Sequence, residues 1–187
     1  MLLKPIRVTS DDYKPARIPP SSRCLLAVGI AVCLGSPGKF ERLPPMILSP
    51  HFTLAELTIT DHREFDNTPD PASLENLARL ALFLEEVRAL LGHRVLMITS
   101  GYRSAPVNAA VGSKEKSQHR VGCAADFRVS GLTPNEIVQK IVTSDLPFDQ
   151  VIREFDAWTH ISIPTIEWTK PRRNALIIDR SGAREFV

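Results

Sequence analysis

Leu74, Leu77, Leu80, Leu84, Val87 and Leu91 recur at three- and four-residue steps between Asp70-Pro71 and Gly92. That period predicts one amphipathic helix whose apolar stripe faces a core. Pro71 suits a first helical turn, where its missing N–H costs nothing, and Gly92 suits the exit. Val95 to Ile98 follows at once and reads as part of a buried strand over 94–99, feeding Ser100-Gly101-Tyr102-Arg103-Ser104. From Gly122 to Val129 the pattern alternates: Cys123, Ala125, Phe127 and Val129 point one way, Ala124, Asp126 and Arg128 the other. Asp126 is therefore expected to leave the core face.

Two capping boxes mark further helices. Thr53-Leu-Ala-Glu56 opens a short one, and Thr133-Pro-Asn-Glu136 opens a second with the stripe Ile137, Val138, Ile141 and Val142, ended by Pro147. The segment 100–117 lacks apolar periodicity and reads as a long loop of the kind that carries function. Strands over 150–155 and 158–163 lie close enough in sequence for an antiparallel hairpin, with Trp158, His160 and Ser162 on one face. The fold class expected is α+β, a small antiparallel sheet with flanking helices.

Residues 46–165 then form one domain, with 1–45 as a leader and 166–187 as a C-terminal tail. In the leader, basic residues precede the apolar run Cys24 to Leu34, which is too short to span a bilayer comfortably. It fits a secretory signal or anchor, or an upstream extension outside the working protein, and membrane contact is expected only in the first case. In the tail, Asn174 to Asp179 can form a last strand, and Lys170-Pro-Arg-Arg173 reads as a solvated basic turn. A formal charge of +2 lacks the basic footprint of a nucleic-acid binder. Cys24, Cys33 and Cys123 form no CxxC pair, so Cys123 reads as a packing residue and not a nucleophile. His51, His62 and His93 fall at helix ends and connectors, where capping or exposure is the default.

His119, Asp126 and His160 are the residues that can converge. A histidine ending a loop, an aspartate on a strand and a histidine on a neighbouring strand offer three ligands and leave a fourth position for water, as a hydrolytic zinc requires. Spacing alone equally allows a hydrogen-bonded His–Asp pair.

Ser117-x-His119-x-x-Gly122-x-Ala124-x-Asp126, followed by Trp158-x-His160, resembles the signature of the zinc D-Ala-D-Ala carboxypeptidases and of phage L-alanyl-D-glutamate endolysins. Ser49 to Thr58, Thr99 to Ser104, Phe148-Asp-Gln150 and Trp158 to Ser162 are similar to a phage- and prophage-associated subset of that group. The resemblance implies the hedgehog/D-Ala-D-Ala-peptidase-like fold, zinc on His119, Asp126 and His160, and substrate held by Arg103 and Ser117. It also implies hydrolysis of peptidoglycan stem peptides; a monomer is expected, acting in the periplasm or cell wall after export or phage lysis. Those relatives place an acid three residues before the last histidine, where this chain has Ala157. Glu154 and Asp156 are the replacements, and a strand through 152–156 would put both on one face; the resemblance favours Glu154, since the phage-associated subset also has Glu-Phe ahead of Trp-x-His, and Asp156 also fits an exposed turn. Two other functions fit: a catalytically impaired zinc-containing wall-binding or phage structural module, or cleavage of free D,D-dipeptides.

Overall fold

The computed structural model describes residues 44–166 and 169–187; the leader with its apolar run lies outside them. A small hairpin, β1 (Ile47–Ser49) and β2 (Phe52–Thr53), leads into α1 (Leu54–Leu57). Both capping boxes form: Thr53 and Glu56 close α1, and Thr133 and Glu136 close α4 (Pro134–Val142). The long helix α2 spans Pro71–Leu90, with the Asp70 carboxylate accepting from the Ser73 N–H.

Among the described residues six strands form one sheet in the order β3-β4-β6-β5-β7-β8. They are β3 (Leu96–Ser100), β4 (Ala124–Val129), β5 (Gln150–Glu154), β6 (Trp158–Ser162), β7 (Asn174–Asp179) and β8 (Gly182–Glu185). The α+β class is as expected, but the sheet is mixed, because β5 and β7 run parallel while the other pairs are antiparallel. Leu77, Leu80 and Leu84 of α2 pack with Ile137, Val138 and Ile141 of α4 against Ala125, Phe127, Val151 and Ile161. This one-sided core leaves the opposite sheet face for other work.

Three expectations change. The expected buried strand is the edge strand β3, with Met97 51% exposed and Val95, just before it, 71% exposed; a short apolar run does not reveal whether both faces are covered. The segment 100–117 contains a helix, α3 (Ala105–Ala110), carried by Pro106 in its first turn and burying only Val107 and Asn108, too little for a periodic signal. The basic turn is not merely solvated. Arg173 donates to the carbonyls of Val142, Ser144 and Leu146 at the end of α4 and lies over the Phe148 ring, while Arg172 engages buried Asp149. The residues beyond 165 thus supply two strands to the main sheet.

Candidate metal centre

Strand register builds the site. Asp126 stands opposite His160 across β4 and β6, and opposite Ser100 across β3 and β4. Directly opposed residues share a face, so alternation puts Asp126 and His160 together on the face away from the helical core. His119 arrives from the other side. It sits in a short 3₁₀ turn, Gln118–Val121, which closes at Gly122 with φ +73, a conformation that favours glycine. A Cβ at Gly122 would also meet the Ser73 carbonyl oxygen of α2 at 2.5 Å.

The three side chains are buried and meet in a tight triangle. His119 Nε2 lies 3.2 Å from His160 Nδ1 and 3.3 Å from Asp126 Oδ1, and His160 Nδ1 lies 2.8 Å from the same carboxylate oxygen. Ligand bonds of about 2.0–2.1 Å in a tetrahedron separate donor atoms by about 3.3 Å. Two edges of the triangle have that length, and the third, from His160 to Asp126, is shorter at 2.8 Å. Its donor set, two imidazole nitrogens and one carboxylate oxygen, suits zinc, and such atoms converge at this distance only around a shared proton or a cation.

Neighbours fix the protonation needed. His119 Nδ1 donates to the Gly101 carbonyl at 2.6 Å, which leaves Nε2 with its lone pair toward the triangle. Gly101 can be nothing larger: a Cβ there would lie 2.2 Å from the Leu57 carbonyl oxygen, where α1 packs on the end of β3. Burial lowers the His119 pKa and keeps the ring neutral. Burial opposes ionisation of Asp126, but its contacts with His119 and His160 outweigh it and hold the carboxyl well below the usual range.

Arg103 lies beside the triangle, not apart from it. Nη2 donates to Asp126 Oδ2 at 2.5 Å and Nε to the Ser100 hydroxyl at 2.8 Å. Asp126 therefore presents one oxygen to the histidines and the other to a guanidinium. Ser117 is half-buried at the start of the 3₁₀ turn, and its hydroxyl makes no cap hydrogen bond.

The two acids expected as alternatives part company. Strand β5 ends at Glu154, and Phe155 and Asp156 have φ +50 and +54, the two central residues of a tight hairpin turn. Asp156 therefore leaves the alternation, pairs with Arg153 and stays largely exposed. Glu154 faces Trp158, one same-face pair along from Ile152 and His160, and accepts from the Trp158 indole N–H at 2.5 Å. Burial and the nearby charge of Asp126 raise its pKa. Ala157 follows the turn and donates its N–H to the Glu154 carbonyl at 2.9 Å, so the two positions are adjacent in space. Cys123 is fully buried in the helical core with its thiol pushed up to about 11 by burial, which removes it as a nucleophile. His51 bonds Glu85 of α2 and His62 bonds Glu64, both away from the triangle.

Gly101 is a site residue that the spacing argument passed over. Its signal was the strand leading into Ser100-Gly101-Tyr102-Arg103, read for the arginine and not for the glycine's carbonyl.

An α+β sheet that brings two imidazoles and a carboxylate into a buried triangle, with a carboxylic acid of raised pKa on the same face, has the construction of a metal-dependent hydrolase. The model of the peptidase M15 family matches residues 50–162, more than half of the chain. The chain belongs to that family, which includes D-Ala-D-Ala carboxypeptidases and phage endolysins. No curated protein matches it.

Proposed function

We propose that this protein is a zinc-dependent peptidase that hydrolyses amide bonds in the stem peptides of bacterial peptidoglycan, acting as a monomer in the periplasm or cell wall. The observation that carries the reading is the buried triangle of His119, Asp126 and His160 inside a peptidase M15 domain. These three residues would hold zinc, which when bound would polarise a peptide carbonyl and lower the pKa of water.

The rest of the chemistry falls to the chain. Glu154 Oε2 is held by the Trp158 indole, which leaves Oε1 to take a proton from the attacking water and pass it to the leaving amine. Its raised pKa suits both tasks, because a stronger base takes the proton more readily and its acid form persists long enough to give it up. Arg103 fixes the orientation of Asp126, and its remaining N–H groups can hold a carbonyl or carboxylate of the stem peptide. Ser117, with an uncommitted hydroxyl near the turn that carries His119, supplies a further substrate contact.

Digestion of purified sacculi by the zinc-loaded protein, with fragments identified by mass spectrometry, tests the reading and separates carboxypeptidase from endopeptidase action. New amine and carboxylate termini next to a D-configured residue are expected, and His119→Ala should release none. Zinc binding without new termini from any sacculus type, or from free D,D-dipeptides, would instead identify a wall-binding or phage structural module.

A further inference from the structure

Gln118 precedes His119 in the 3₁₀ turn, and its side chain crosses to the strand that carries His160. Its Nε2 donates to the Ile163 carbonyl at 3.0 Å and to Asp149 Oδ2 at 3.0 Å, while its Oε1 accepts from the Ser162 hydroxyl at 3.0 Å. Ser162 lies two residues beyond His160 on the same face of β6. The amide therefore ties the turn bearing one histidine to the strand bearing the other.

Asp149 is 5% exposed, and such a carboxylate needs a cation. Arg172 provides it from outside the matched domain: its backbone N–H and Nε donate to Oδ1 at 3.1 Å each, and Nη2 donates to Oδ2 at 2.5 Å. Nη2 also reaches Gln118 Oε1 at 3.4 Å. The chain of contacts runs from the tail, through Asp149 and Gln118, to the backbone of the first metal ligand.

We infer that Arg172 is a positioning residue: with Asp149 it orients the Gln118 amide, which holds His119 at ligand distance from His160. This rests on the zinc reading above. Removing Arg172 leaves Asp149 to attract a proton or turn toward water, and either change takes an acceptor from Gln118. Partners beyond the ligands themselves typically change metal affinity by about 10–100-fold when mutated. Arg172 acts through two residues, so the low end, about tenfold, is expected.

Zinc affinity, measured by competition with a chromophoric chelator, is the readout. Arg172→Ala should bind zinc about tenfold more weakly and lose kcat in proportion at limiting zinc, and Arg172→Lys should recover part of both. Arg173→Ala, which removes the contacts at the end of α4 from the next residue of the same tail, should lower the melting temperature and leave zinc affinity unchanged. In Gln118→Ala, adding Arg172→Ala should weaken zinc binding no further, because the intermediary is already gone. A folded Arg172→Ala protein with wild-type zinc affinity would overturn the inference alone, as would equal losses in the presence and absence of Gln118. Failure of the wild-type protein to bind zinc would overturn the metal reading and the inference with it.

Discussion

At the scale of single residues the site rests on few atoms, and each has a distinct expected failure. Glu154→Gln keeps the Trp158 contact but cannot accept a proton, so kcat should fall by about 10²–10⁴-fold with zinc content unchanged. Because Glu154 titrates above its ordinary 4.5, the base form is lost as pH falls through that raised value; the acid limb of the kcat/KM profile should lie above pH 4.5 and vanish in the glutamine variant. Asp126→Ala removes the partner of a largely buried guanidinium as well as a ligand. A loss of about 3–5 kcal/mol is expected in chemical denaturation, on top of lost zinc binding. Gly101→Ala drives a Cβ onto the Leu57 carbonyl and should displace the acceptor of His119, reducing both stability and zinc affinity. His119, Asp126 and His160 were legible because strand alternation and family spacing point to the same residues. Asp156 takes the exposed turn position and not the strand face, because two non-glycine residues adopt positive φ there, which nothing in Glu-Phe-Asp-Ala announces.

At the scale of elements, capping and periodicity carried far. α1, α2 and α4 begin where Thr53, Asp70 and Thr133 say they should. Long-range choices were hidden. Neither the exposure of β3 at the sheet edge nor the parallel pairing of β7 with β5 has a local signature, since each depends on which strand is neighbour to which. The tail shows how that choice is enforced, with Arg172 on Asp149 and Arg173 on the last carbonyls of α4 seating β7 beside β5. A chain ending at Thr165 would strand Asp149 without its cation and turn β5 into an open edge; it is expected to lose cooperative unfolding and to aggregate, as seen by circular dichroism and light scattering. Burial acts against ionisation of Asp149, yet the hydrogen bonds from Arg172 outweigh it and lower its pKa below the ordinary 3.8. The unfolded carboxyl then takes its proton first as pH falls. Its contribution to stability is thus complete above about pH 4 and is lost as pH drops through the lowered folded value, a decline that Arg172→Ala should abolish.

At the scale of the whole molecule, one sheet serves two purposes: its helix-covered face provides the core, and its other face, joined by the 3₁₀ turn that carries His119, provides the site. Metal binding would then be linked to folding, because His119 lies on that turn while Asp126 and His160 lie on the sheet. Free zinc at 100 times its dissociation constant should stabilise the protein by about 2.7 kcal/mol, and chelation should lower the melting temperature accordingly. The most direct measurement is hydrolysis of peptidoglycan stem peptides by metal-free protein as zinc is added back. Release of new termini should be absent without metal and rise to a plateau at one zinc per chain, with His160→Ala inactive throughout. Hydrolysis that persists in the metal-free protein, or in His160→Ala, would contradict a zinc centre built from His119, Asp126 and His160.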